Sequence, residues 1–128
     1  MTLDQVIAYG MAKSGAYLDY PFTPFFPVIR VKTPSRPGGR IFAQPFLLRG
    51  EPKLTVYSTP AAALMYRQRY PHAVARGWHC PPVQQPYFNT VDLGGAVPDE
   101  AILRMIDHAY EAAVAKLPKY AQEELHSL

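Results

Sequence analysis

Apolar residues recur with two different periods along this chain, and the switches between them mark its elements. Leu3, Val6, Ile7 and Met11 repeat at helical spacing. Thr2 followed by Gln5 reads as a capping box for that helix, and Ser14-Gly15 ends it near Lys13. Tyr17 to Tyr20 reads as a short strand. Val28 to Lys32 alternates, with Val28, Arg30 and Lys32 on one face and Ile29 and Val31 on the other. Arg40 to Arg49 resumes as a strand, in which Pro45 calls for an edge position or a bulge. Lys53 to Ser58 is the next strand. The turn clusters Thr33 to Gly39 and Gly50-Glu51-Pro52 are too short to hold crossover helices, so these strands form an antiparallel meander.

Thr59-Pro60 is a strong helix start, a capping residue followed by proline at the first helical position. The helix runs from Ala61 to Tyr70 and Pro71 closes it. His72 to Tyr87 reads as a long ordered loop and Phe88 to Leu93 as the last strand. Asp99 and Glu100 place negative charge at the start of a final helix. Its apolar stripe includes Ile102, Met105, Ile106, Ala109, Ala113 and Leu117, and should cover the sheet. Pro118 interrupts that helix, and Lys119 to Leu125 adds a short helical tail. With no repeat and no linker, residues 1–128 read as one α+β domain of two layers, an antiparallel sheet covered by helices.

Composition narrows the setting. Fourteen prolines, mostly in the first 90 residues, argue against long helices there. No stretch approaches the roughly 20 apolar residues of a membrane span. The opening residues have no apolar run of the signal-peptide kind, and Cys80 is the only cysteine. A cytoplasmic location, with no membrane association, is the expectation. Charge is unevenly distributed. Met1 to Gly77 holds ten Lys or Arg against three acids, a net +7, whereas the remainder holds three against seven, a net −4. Such a division can present a basic face to a polyanion.

The chemistry-bearing residues form no complete catalytic set. His79-Cys80 invites a metal or thiol reading, but a zinc site usually needs four ligands, or three with a water. Here one cysteine and the distant His72 leave the set short. Asp107-His108 has no nucleophile partner and should face solvent. Neither Gly38-Gly39 nor Gly94-Gly95 continues into a phosphate-binding pattern. No enzyme activity, metal or cofactor is expected. Pro21, Pro24 and Pro27, interleaved with Phe22, Phe25 and Phe26, have the spacing of a polyproline ligand, although a segment inside a domain should instead use its phenylalanines to close the core.

Several phrases resemble those of the MmcQ/YjbR family, over nearly the whole chain. Met11-Ala-Lys-Ser-Gly-Ala16 is similar to the family's MAKPGA, and Pro21-Phe22 follows it as the family's PF does. Lys53 to Ser58 runs into Thr59-Pro60 and a helix containing Leu64. Asn89-Thr90-Val91-Asp92-Leu93 resembles NTV.L, and Ile106 to Tyr110 resembles the helix carrying SY. The resemblance implies a two-layer α+β fold and a bacterial-type DNA-binding role through a double-wing arrangement. Departures fall on polar positions: Tyr57 stands where the family often has Lys, Cys80 to Tyr87 replaces an Asn-Lys pair, Phe88 takes a Trp position and Ala109 a Ser position.

Two functional expectations follow. In the first, DNA is the partner and phosphates are met by Arg30, Lys32, Arg36, Arg40, Arg49 and Lys53. In the second, Tyr57, Trp78, His79, Tyr87 and Phe88, with the proline-rich segment, form a small-ligand pocket, protein-interaction surface or homodimer contact.

Overall fold

The computed structural model describes residues 1–128. In chain order the elements are α1 (Leu3–Met11), β1 (Ala16–Asp19), β2 (Val28–Val31), β3 (Arg40–Leu48), β4 (Glu51–Tyr57), α2 (Pro60–Arg69), β5 (Val74–Arg76), a 3₁₀ turn (Gln85–Tyr87), β6 (Phe88–Asp92), α3 (Asp99–Ala115) and α4 (Lys119–His126). The six strands form one antiparallel sheet in the order β1-β2-β3-β4-β6-β5. Its edges, β1 and β5, are four and three residues long. The expected meander is present as β1 to β4. Within the expected loop from His72 to Tyr87 the chain makes β5 and the 3₁₀ turn, so that expectation is corrected. Val74-Ala75-Arg76 is too short to carry a period.

Local chemistry accounts for the boundaries. Thr2 accepts from the Gln5 amide while the Gln5 side chain accepts from the Thr2 amide, the expected capping box. Thr59 caps α2 through the Ala62 amide, with Pro60 in its first turn. The β3–β4 connection is tighter than the turn read from sequence. Leu48 pairs with Glu51, and the two loop residues Arg49 and Gly50 have φ of 52° and 79°. Two successive positive φ values belong to a type I′ hairpin turn, whose twist matches that of the strands.

Helices cover one face. Ile29, Val31, Leu54, Val56 and Val91 point toward them and meet Ala101, Ile102, Met105, Ile106 and Ala109 of α3 in one buried cluster. A β-bulge tunes this packing. Ile29 pairs with Ala43 but Arg30 pairs with Ile41, which leaves Phe42 as the extra residue. Two consecutive side chains, Phe42 and Ala43, are therefore buried, and Phe42 meets Tyr110 edge-on at 5.5 Å between ring centroids. β2 pairs with β3 only as far as Ala43, so at Pro45 the strand has a partner on its β4 side alone. This is how proline is accommodated in a strand that is otherwise interior.

Asn89 is buried on the same face. Its amide donates to the Ala63 carbonyl at 3.0 Å and its oxygen accepts from Arg67 at 2.8 Å, tying β6 to α2. α2 reaches α3 through Tyr66, whose hydroxyl hydrogen-bonds His108 Nδ1 at 2.8 Å. α1 is tied to α3 by Asp107, which accepts from the Tyr9 hydroxyl at 2.8 Å and from the Lys13 ammonium. Asp107 and His108 are expected from sequence to face solvent; His108 is exposed, whereas Asp107 is half-buried, and each also bridges two helices because both lie where α3 meets a neighbour.

Candidate basic and aromatic cleft

The opposite sheet face is only partly covered, and its register assembles a cleft at one end. Arg30 pairs with Ile41 across β2 and β3, and Tyr57 with Phe88 across β4 and β6, so these four side chains form a row running across the sheet. The 3₁₀ turn adds Tyr87. Tyr57 and Tyr87 lie nearly parallel, 18° apart with centroids separated by 6.4 Å, and Phe88 tilts against Tyr57 at 5.3 Å. Arg40 opens β3 beside them, with its guanidinium 5.9 Å from the Tyr57 ring centroid. Lys116, just past the end of α3, completes the rim. The cleft has a volume of about 530 Å³, and no acidic side chain lines it.

Its three cations are not equivalent. Arg30 donates to Asp19 at 2.8 Å and to the Gly39 carbonyl at 3.0 Å. It therefore braces the turn leading into β3, with its charge largely offset. Gly39 is required there, since a Cβ would lie 2.7 Å from the Val31 carbonyl oxygen and 2.6 Å from the Tyr17 hydroxyl. Arg40 and Lys116 have no carboxylate partner. These two supply the free positive charge of the cleft.

The six basic residues expected to meet phosphate do not form one surface. Arg40 and Arg49 bracket the nine-residue β3, which places them roughly 25–30 Å apart at opposite ends of the sheet. Lys53 also lies toward the far end, where Glu51 and Asp92 each approach its ammonium to 3.6 Å. Lys32 lies over the Tyr17 ring, 5.0 Å from its centroid. Arg36 sits in a turn tied to α4 by the 2.6 Å Ser35–Glu124 hydrogen bond, and it does not line the cleft.

The aromatic set likewise divides. Tyr57, Tyr87 and Phe88 belong to the cleft, while Trp78 and His79 join Phe22, Phe26 and Phe46 around a second cavity of about 320 Å³. Phe22 and Phe25 are 72% and 80% exposed, so the expectation that the proline-rich phenylalanines close the core is wrong for these two. The core beneath is filled by Ile29, Val31 and Phe42, and the bends between the prolines leave these rings on the outer surface. Burial raises the pKa of the Cys80 thiol, which disfavours the nucleophilic thiolate.

The bridge at Asp107 has a pH signature. Burial works to raise its pKa, but hydrogen bonds from Lys13 and Tyr9 outweigh this and hold it below the usual carboxylate value. A folded pKa below the unfolded one gives stability that is present above the unfolded value, about 4, and is lost as pH falls through the folded value. Asp107→Asn is expected to cost about 1 kcal/mol at neutral pH, the group being partly exposed, and to flatten the acid limb of a urea-midpoint profile. An acid limb identical to that of the parent protein would remove Asp107 from that role.

Comparison with other proteins bears on the fold. The crystal structure of Deinococcus radiodurans protein DR2400, described as a DUF419 domain, is similar with a TM-score of 0.84 and 23% identity, over 98% of this chain and 88% of that one. A Pseudomonas syringae protein is similar with a TM-score of 0.70 and 16% identity, over 88% of this chain and 99% of that one. Its solution structure gives a TM-score of 0.65 at 15% identity, over 88% and 93% of the two chains. No protein of curated function matches the sequence. The YjbR family model matches residues 11–112, from the end of α1 into the second half of α3 and thus across the whole sheet, so the chain belongs to the YjbR family.

Proposed function

We propose that this protein is a nucleic-acid-binding protein, with DNA as its polyanion, that contacts phosphates through the cleft and carries out no catalysis. The observation behind this reading is the pair of unneutralised cations, Arg40 and Lys116, set beside a wall of aromatic rings. Cations placed this way attract phosphate without selecting sequence, and neighbouring rings add stacking surface. The basic turns at the two ends of β3 are too far apart to act as one pair of wings, so the proposal rests on the cleft end alone.

Salt titration tests the reading. One phosphate shared by the two cations should give a slope of log affinity against log salt of about −0.7 on a single strand and about −0.9 on a duplex, and one phosphate at each cation about twice that. Absence of binding to either at low salt would overturn it.

Phe22 and Phe25 favour a second reading, in which the exposed aromatic surface meets a protein partner or another copy of this chain. Sedimentation equilibrium of the parent protein and of Phe22→Ser with Phe25→Ser separates the two. A concentration-dependent mass abolished by the double substitution supports self-association, and a constant monomer mass removes the second-copy form of that reading.

A further inference from the structure

Resting on the nucleic-acid reading above, the geometry points to one unstacked nucleotide as the unit the cleft receives. We propose that its phosphate lies between Arg40 and Lys116, its base on the ring of Tyr87, and its base edge near Gln84.

Shape is the first argument. The cleft is concave, and its volume of about 530 Å³ falls within the roughly 300–1,000 Å³ typical of sites for a single small ligand. A duplex keeps its bases stacked inside a convex surface, so its phosphates could touch the rim but its bases could not reach the aromatic wall. Bases that are splayed out can reach it, as in recognition of single strands.

The rings specify the rest. Tyr57 is 7% exposed, with Tyr87 stacked near it and Arg40 approaching its ring, so it cannot itself receive a base. Tyr87 is 39% exposed, lines the cleft, and is backed by Tyr57. Its backbone is held at both sides. The Tyr87 amide donates to the Gln84 carbonyl at 2.9 Å, and its carbonyl accepts from the Ser58 amide at 2.7 Å, which pins the 3₁₀ turn to the end of β4. The platform is thus positioned before any ligand arrives, which limits the ordering cost of binding. Gln84 lines the same cleft, and its side-chain amide makes no hydrogen bond within the chain, which leaves donor and acceptor groups for a base edge. Arg30 does not compete for phosphate, because it is engaged with Asp19 and the Gly39 carbonyl.

The experiment measures fluorescence anisotropy of labelled oligothymidylate, oligouridylate and a mixed-sequence duplex at one salt concentration, with thymidine monophosphate as competitor. The single strands are expected to bind more tightly than the duplex. Tyr87→Ala should weaken strand binding by roughly tenfold while leaving the salt slope and duplex binding unchanged, and Tyr87→Phe, which keeps the ring, should restore it. Competition by thymidine monophosphate would support a free nucleotide as sufficient ligand. Strand binding without such competition would support a nucleotide held within a chain, and the thymidylate and uridylate arms separate DNA from RNA. A duplex bound as tightly as the strands, together with an inert Tyr87→Ala, would overturn this inference and leave the nucleic-acid reading standing. Failure of every probe to bind at low salt would overturn both.

Discussion

Reversing Arg40 and Lys116 together to glutamate is expected to lower nucleic-acid affinity by about a hundredfold at low salt, whereas Arg49→Glu should leave it within about twofold. The reversal does more than remove two attractions. It places two carboxylates in a cleft that has no acidic lining residue, where they would repel the phosphate they replaced a partner for. The residual salt slope should approach zero, since each lost phosphate contact removes about one unit or slightly less. Arg49 is the internal control. It has the same charge and is exposed, but it sits in the β3–β4 turn at the far end of the sheet. Equal losses from Arg49→Glu and from the cleft reversal, measured by anisotropy with circular dichroism to verify folding, would mean that attraction depends on overall charge and not on the cleft.

The largest stability effect should come from Phe42→Ala, with an expected loss of about 3–5 kcal/mol, at the upper range for a large-to-small core change. Phe42 is fully buried and is the bulged residue of β3. Its surroundings cannot easily collapse into the space. Tyr110 lies edge-on to it, and Gly10 passes so close to Ile29 that a Cβ on that glycine would fall 2.8 Å from the Ile29 methyl carbon. The urea midpoint should fall while the slope of the transition stays constant. A loss below about 1.5 kcal/mol would show that the bulge relaxes and that neighbouring side chains refill the site.

Residues with strong local rules were legible in the sequence. The Thr2–Gln5 box, the Thr59-Pro60 start, the alternation from Val28 to Val31 and the apolar stripe of α3 each carry a short-range signal, and together they gave the two-layer α+β architecture. The cleft was less legible because its parts come from five segments. Lys116 belongs to the acidic part of the sequence, so a count of charge along the chain concealed it. The 17 residues of α3 carry the chain roughly 25 Å and bring Lys116 to the end of the sheet where Arg40 lies. Gln84 was hidden within an expected loop. Tyr57, read both as a departure from a family lysine and as a candidate interaction residue, becomes the buried backing of the aromatic wall, with Arg40 supplying a cation next to it. Asn89 was read as part of a familiar phrase, and the fold supplies its physical reason: no apolar side chain could satisfy both the Ala63 carbonyl and Arg67.

The brevity of β1 and β5 has a consequence for how molecules of this protein meet one another. A sheet edge offers unpaired amides and carbonyls to any passing strand, and long flat edges seed fibrillar aggregates. Here one edge ends at Asp19, two residues before Pro21, and the other carries Arg76 on its last residue. A strand docking on either edge would gain few backbone bonds before meeting a charge or an imide nitrogen that cannot donate. The fold therefore discourages growth of its own sheet by strand addition, and leaves recognition to side chains displayed on its faces.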